Sequence, residues 1–361
     1  MARLVDPRIA GAVARRFTGD AQMKGSYLLE RLNRDLEAAV PRSEELVAER
    51  SGIPRPAPVP WGVIDRGDWA EANIEGMTTM LAPLAERLEP RLDRLPLPVR
   101  MAQQGLVSVE MGVLLGYVSR RVLGQYDVLI PDEPAPDESR ARRRSSRPRV
   151  ALYFVGPNMV ETERRWGFVP EEFALWVAVH EVTHRFQFAG VPWLRERFFG
   201  LVRSYLGTTE VDAGSLARRL ATAASRLATG KVPIEERHPA YLLANEEQRD
   251  VLNQIQALMA VVEGHGNFVM DAVGERVIPS FRRMRSIFDR RRDQTNTLQR
   301  IVNQVLGLEM KLRQYELGQR FCEEVAAREG DAGLAYLWTD PEHLPTLDEL
   351  REPRRWLDRV A

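Results

Sequence analysis

The segment spanning residues 170–190 constrains the fold of this chain most strongly, because it predicts one long helix that is apolar on nearly every side. Pro170, followed by two glutamates, suits the first turn of a helix, where proline is tolerated and acidic groups meet the positive end of the helix dipole. The helix is predicted to end near Gly190, with the glycine as a left-handed cap. A helix of this composition has to lie in the core.

Three polar residues interrupt this apolar helix in the pattern H-E-x-x-H: His180, Glu181 and His184. Four residues advance a helix by about 400°, so the two histidines project from one stripe with Cβ atoms about 5–6 Å apart. Both imidazoles can then reach one Zn²⁺ at about 2.0–2.1 Å. Glu181 lies about 100° around the helix, which suits a general base that contacts the metal-bound water. The pattern therefore predicts zinc-assisted hydrolysis.

A second interpretation treats the two histidines as ordinary hydrogen-bonded core residues. An unpaired buried polar group costs about 1–3 kcal/mol, so all three polar side chains need partners in either case. A metal supplies partners for both imidazoles at once. Since only five of the 361 residues are histidine and two of them stand here, we favour the metal.

A zinc site of this type needs a third protein ligand, and Glu263 is the best candidate. It lies in a long helical pattern among apolar or glycine neighbours, where an isolated carboxylate is costly and a divalent cation is one remedy. His265 lies about 200° away on the same helix, so the two cannot easily share one ion. We predict Glu263 as the ligand and His265 as a substrate-binding or catalytic group. Gly264 and Gly266 are expected to let the H-E-x-x-H helix approach closely, although a helix packed through glycines with a satisfied Glu and His is the alternative.

Hydrolysis also needs a group that stabilises the oxyanion. The candidates are Tyr315 and His265, with His238 as a weaker one, and Tyr315 could equally be a packed tyrosine. Asp271, two turns beyond Glu263, could orient a metal ligand or lie on the surface.

Together these segments resemble a known family, the zincin-like hydrolases of actinobacteria, some of which are labelled as associated with biosynthesis of a deazaflavin coenzyme. The resemblance covers residues 100–360 well and is carried by the sequences at 180–188, 191–195, 263–271, 311–321 and 337–346. It implies a mostly helical zincin-type fold in which His180 and His184 bind zinc and Glu181 is the catalytic carboxylate. It implies no particular substrate.

The remaining pattern predicts a mainly α fold with a small β element of two or a few strands next to the metal helix. Helices are expected over 26–50, 68–88 and 99–123, with an extended proline-rich connector over 53–61 and strands over 126–130 and 150–155. The strands could hold an extended peptide substrate or form a buried hairpin. We predict a single domain over 1–361, divided into an N-terminal helical portion (1–98) and a metal-site portion (99–361).

The composition limits the classes of binding partner that we expect. Lys plus Arg and Asp plus Glu both number 51, so no net charge favours nucleic acid or an anionic membrane. The arginine-rich stretch 140–149 is read as a solvated loop. The lone Cys322 cannot form an internal disulfide. No signal-peptide h-region follows Met1, and no apolar run approaches the ~18 residues that a membrane span requires. We expect a cytoplasmic protein that binds neither nucleic acid nor membrane.

The sequence therefore predicts a zinc-dependent metallohydrolase, with a peptide or a small amide as substrate and Zn²⁺ as cofactor. The alternative is a non-catalytic helical scaffold or partner-binding protein that retains a structural or vestigial zinc site. A fourth protein ligand would indicate a structural zinc, and a coordination position open to water would indicate an enzyme. The sequence does not indicate the oligomeric state.

Overall fold

The computed structural model of the chain describes residues 4–19, 23, 25–129, 151–208, 241, 244–293 and 308–360. The predicted mainly α fold with a small β element is confirmed. The arginine-rich stretch 140–149 and His238 lie outside the described residues. Thirteen α-helices are found in the described ranges: α1 (Pro7–Thr18), α2 (Tyr27–Arg50), α3 (Arg66–Met80), α4 (Ala82–Leu92), α5 (Leu97–Ser119), α6 (Gly156–Trp166), α7 (Pro170–Gly190), α8 (Leu194–Gly207), α9 (Glu246–Val277), α10 (Phe281–Asp293), α11 (Leu308–Tyr336), α12 (Leu347–Arg351) and α13 (Pro353–Val360).

Most predicted helices are found close to their expected bounds, but the helix expected over 68–88 is two helices. It is divided between α3 and α4 at Leu81, whose backbone N–H donates to the carbonyl of Met77. A break of one residue leaves the apolar period almost unchanged, so the sequence pattern reads as continuous.

The sheet has three strands, whereas the sequence pattern clearly indicated only two. They are β1 (Trp61–Ile64), β2 (Gly124–Tyr126) and β3 (Leu152–Val155), in the order β1-β3-β2. β1 is parallel to β3, and β2 is antiparallel to it. β1 lies at the end of the segment predicted as a proline-rich connector, whose extended backbone continues directly into a strand. Four residues are too few for a periodic signal, so only the pairing with β3 reveals this strand.

The described residues form two compact units, and the first comprises Met1–Val47, Arg55–Ala189 and Ile278–Ser280. Its core includes a cluster in which α1, α3 and α5 pack around Trp69, Ile74 and Met111. α1 and α5 approach closely at Gly112, where a Cβ atom would lie 2.5 Å from the carbonyl oxygen of Ala10. Small residues on both helices therefore allow this packing.

Helix α7 is buried along most of its length, as predicted. Side chains on all its faces are buried, among them Phe173, Val179 and Phe186. Its last residue, Gly190, does not adopt the left-handed cap predicted for it. The glycine serves a close approach instead, because a Cβ atom there would lie 2.6 Å from the carbonyl oxygen of Pro54.

The second unit comprises Ala48–Pro54, Gly190–Val277 and Phe281–Ala361. Its helices α9 and α11 pack most closely where Gly264 faces the backbone of Gly318. Gly264 was expected to admit the H-E-x-x-H helix, but the neighbour that its missing side chain admits is α11. The sequence shows that a glycine permits a close contact without showing with which element.

None of the helices in the described ranges combines the length and apolar character that crossing a bilayer requires.

Candidate metal centre

Helix α7 brings His180 and His184 together as the four-residue spacing predicts. Their Nε2 atoms lie 3.1 Å apart, and the two rings meet edge to face with centroids 4.6 Å apart. Both side chains are partly buried. The two Nε2 atoms therefore converge on one point beside the helix.

The geometry of the two nitrogens fits a shared zinc ion. Two ligand atoms at about 2.0–2.1 Å from a tetrahedral zinc lie about 3.3 Å from each other. The observed separation of 3.1 Å is close to that value. A direct N–H···N hydrogen bond accounts for the same separation, so the distance suits both interpretations of the sequence. A third ligand that is a carboxylate favours the metal, because it adds nothing to a hydrogen bond between the two rings but completes a zinc donor set.

A carboxylate completes a set of possible metal ligands with the two imidazoles. Of the described residues, His180, His184 and Glu263 make up a group that could hold a metal ion. Within the described part of the chain, no other group of three or more His, Cys, Asp or Glu residues meets this condition. Two histidines and one glutamate are a donor set typical of catalytic zinc, since they leave a fourth position for water.

Gln187 sets the orientation of the His184 ring. The Gln187 Oε1 atom lies 2.9 Å from Nδ1 of His184, and an amide oxygen can only accept a hydrogen bond. The proton of His184 is therefore on Nδ1, which leaves Nε2 with a lone pair for a metal. Gln187 is fully buried, so this hydrogen bond is shielded from water.

Glu181 is largely buried, with 7 % of its surface exposed, and lies against strand β2. Its closest approach to that strand is at Gly124. A Cβ atom at this position would lie 2.6 Å from Cγ and 3.0 Å from Oε1 of Glu181. The carboxylate is thus next to the backbone of β2, which is an edge strand of the described sheet.

Two further polar residues of α7 are fully buried and have partners. Thr183 donates from Oγ1 to the carbonyl of Val179 in the same helix at 2.7 Å. Arg185 donates from Nη1 to the carbonyl of Ala57 at 2.9 Å and pairs with Glu44 at 3.1 Å. The contacts of Arg185 tie the metal helix to the proline-rich connector and to α2.

His265 lies in a different environment from the one expected of a catalytic group. Its side chain is fully buried, its Nε2 atom lies 3.2 Å from the carbonyl oxygen of Ser51, and its ring packs edge to face on Trp338. Such surroundings favour a structural role, and the catalytic role stays a prediction. Tyr315 belongs to α11, but its side chain lies outside what the structure describes.

Asp271 interacts with groups other than the two histidines. Its Oδ2 atom accepts a hydrogen bond from Gln319 Nε2 at 3.0 Å and pairs with Arg285 at 3.1 Å. Burial raises the pKa of Asp271 to about 6, against the opposing effect of Arg285. These contacts give no support to a role in orienting a metal ligand.

Sequence reasoning missed two residues of this centre. Gln187 follows His184 by three residues, so it occupies the same helix face, and a glutamine in so apolar a segment was a usable signal. Gly124 had no such signal, because its contact with Glu181 joins residues 57 positions apart.

The chain is similar to a known protein family and to a solved structure. No curated protein matches the chain. A crystal structure of a protein from Chloroflexus aurantiacus, provisionally assigned as a hydrolase and described as having a novel fold, matches with 31 % identity and a TM-score of 0.67, over 99 % of this chain and 98 % of that one. The actinobacterial grouping and the coenzyme label stay predictions. The model of the zincin-like metallopeptidase family matches residues 5–357, and the chain belongs to that family.

Proposed function

We propose that this protein is a zinc-dependent peptidase in which His180, His184 and Glu263 bind the metal and Glu181 acts as general base. The observation that carries the proposal is the position of Glu181: it follows the first histidine, is largely buried, and lies beside the end strand of a sheet. Membership of a zincin-like metallopeptidase family supports a zinc hydrolase.

The roles follow from the chemistry of each side chain. A bound zinc ion supplies a Lewis acid that lowers the pKa of water and polarises a scissile carbonyl. His180 and His184 would hold the ion, and Gln187 keeps the proton of His184 on Nδ1, so that Nε2 can act as a ligand. Glu181 accepts the proton of the attacking water and passes it to the leaving amine. The buried setting of Glu181 limits competing solvent.

Strand β2 supports a peptide as the substrate. The carbonyl of Leu123 accepts from the N–H of Val155 at 2.9 Å, and the N–H of Asp127 donates to the carbonyl of Ala151 at 2.7 Å. The backbone hydrogen-bonding groups of Leu123 and Asp127 therefore point towards β3. The N–H and C=O of Gly124, between them, point away from β3. An extended peptide that added to this side of the sheet would hydrogen-bond to the residue that contacts Glu181.

The competing hypothesis is a structural or vestigial zinc in a protein without hydrolase activity. A closed structural site takes four protein ligands, whereas the group of His and acidic residues identified in the described ranges has three members. That number favours a site with a position for water. A small amide as substrate uses the same residues, and the assay has to include one.

The test is the Glu181→Gln variant. Metal content measured by inductively coupled plasma mass spectrometry is expected to be about one zinc per chain in both wild type and variant. Hydrolysis of denatured casein, a random peptide library and simple amides, followed by mass spectrometry, is expected to fall about 10²–10⁴-fold or more in the variant. The His180→Ala variant, in contrast, should lose the zinc as well as the hydrolytic activity. Full turnover by Glu181→Gln would refute the mechanism, and a wild type that binds zinc without cleaving any of these substrates would favour the structural alternative.

A further inference from the structure

The contact between Gly124 and Glu181 is closer than any side chain at position 124 would permit. The ideal Cβ atom of an alanine would lie 2.6 Å from Cγ, 2.9 Å from Cδ and 3.0 Å from Oε1 of Glu181. Carbon atoms in van der Waals contact are about 3.5–4.0 Å apart. The Glu181 side chain would therefore have to move by about 1 Å to accommodate one methyl group.

We propose that Gly124 is a positioning residue, whose backbone confines the Glu181 carboxylate to its working position, and that Asn158 holds this backbone in place. The inference rests on the proposed function, because it concerns the same general base. It assigns a role in hydrolysis to two residues outside the proposed set of metal ligands and general base.

Asn158 hydrogen-bonds to the backbone of the segment that precedes Gly124. Its side chain is buried, with 3 % exposed, and its Nδ2 atom donates to the carbonyl of Ser119 at 2.7 Å and to that of Val122 at 2.5 Å. Ser119 is the last residue of α5, and Val122 is two residues before the start of β2. One amide thus ties the end of a helix to the approach of the strand.

Arg66 fixes the orientation of the Asn158 amide. Its Nε atom donates to Oδ1 of Asn158 at 2.6 Å, which directs the Nδ2 group of Asn158 towards the two carbonyls. Arg66 is itself buried, donates from Nη1 to the carbonyl of Thr18 at 3.1 Å and pairs with Glu161. Arg66 and Asn158 are both buried and hydrogen-bonded to each other, and this is the kind of support that a positioning function needs.

A displacement of the base by about 1 Å has a predictable effect on rate. Misplacing a reacting group by that amount costs about 10²-fold in turnover. Zinc binding should be unaffected, because neither Gly124 nor Asn158 is a proposed metal ligand. The expected signature is a loss in kcat with unchanged zinc affinity.

The first test compares Gly124→Ala with Gly105→Ala, a matched control in which the added Cβ has no neighbour within 4 Å. Crystal structures of both variants, with and without zinc, report the position of the Glu181 carboxylate whether or not a substrate is known. Gly124→Ala is expected to shift that carboxylate by about 1 Å and to lower kcat about 10²-fold with KM changed less than about threefold. An unmoved carboxylate, or wild-type kcat in Gly124→Ala, would overturn the proposal.

The second test uses Asn158→Asp, which keeps the volume and the acceptor for Arg66 but replaces the Nδ2 donor with an oxygen that repels the carbonyls of Ser119 and Val122. A role limited to pairing with Arg66 predicts wild-type kcat in the folded variant, whereas a role in holding the strand predicts about a 10-fold loss in kcat with zinc retained. Wild-type kcat in this variant would refute the role of Asn158. Failure of the two proposals is distinguishable: an active Glu181→Gln variant refutes the proposed function, while an inactive Glu181→Gln beside a fully active Gly124→Ala refutes only this inference.

Discussion

The orientation of His184 by Gln187 can be tested by removing the acceptor and keeping the volume. In the Gln187→Leu variant, Nδ1 of His184 loses the oxygen that lies 2.9 Å from it. Nothing at position 187 then holds the proton of His184 on Nδ1 or sets the angle of its ring. The Nδ1–H group also loses this acceptor, which costs free energy. We expect the variant to bind zinc more weakly.

The size of the effect follows from the geometry. Partners of this kind contribute about 10–100-fold to metal affinity, which corresponds to about 1.4–2.8 kcal/mol. The full burial of Gln187 places the expected loss towards the upper end, because water cannot replace the missing oxygen.

Competition with a fluorescent zinc chelator measures the affinity directly. Gln187→Glu is the matched variant, since a carboxylate still accepts from Nδ1, and it should bind zinc at least as tightly as wild type. Gln248→Leu removes another buried glutamine, one that caps α9, and should leave zinc affinity unchanged. Equal zinc affinity in wild type and Gln187→Leu would refute the reasoning.

Two more predictions concern titratable groups of the second unit. The raised pKa of Asp271 means that folding disfavours its ionised form, so the stability that this group contributes is present below about pH 4 and is lost as the pH rises to about 6. The stability of Asp271→Asn relative to wild type should therefore increase by about 2 kcal/mol between pH 4 and pH 7 in urea unfolding, and a difference independent of pH would contradict this. Burial also raises the pKa of the fully buried Cys322 thiol, so the native protein should not react with a thiol reagent such as dithionitrobenzoate until urea unfolds it; rapid labelling without urea would show that the thiol is accessible.

The sequence by itself determined the parts of this protein that depend on local geometry. His180 and His184 converge because four residues make just over one helical turn, and no other part of the chain is needed for that. The apolar residues around them required α7 to be buried, which it is. The neighbours of Glu263 also marked it as a candidate ligand, although the helix pattern alone left His265 open.

The tertiary structure decided everything that joins distant residues. Strand β1 has too few residues for a periodic pattern and is defined by its pairing with β3. Gly264 signalled a close contact, but only packing identified Gly318 as its neighbour. Gly124 lies next to Glu181 because the end of α5, the buried Asn158 and the sheet register place it there. Helix periodicity acts over four residues, whereas these contacts depend on the folded path of the whole unit, which no local pattern encodes.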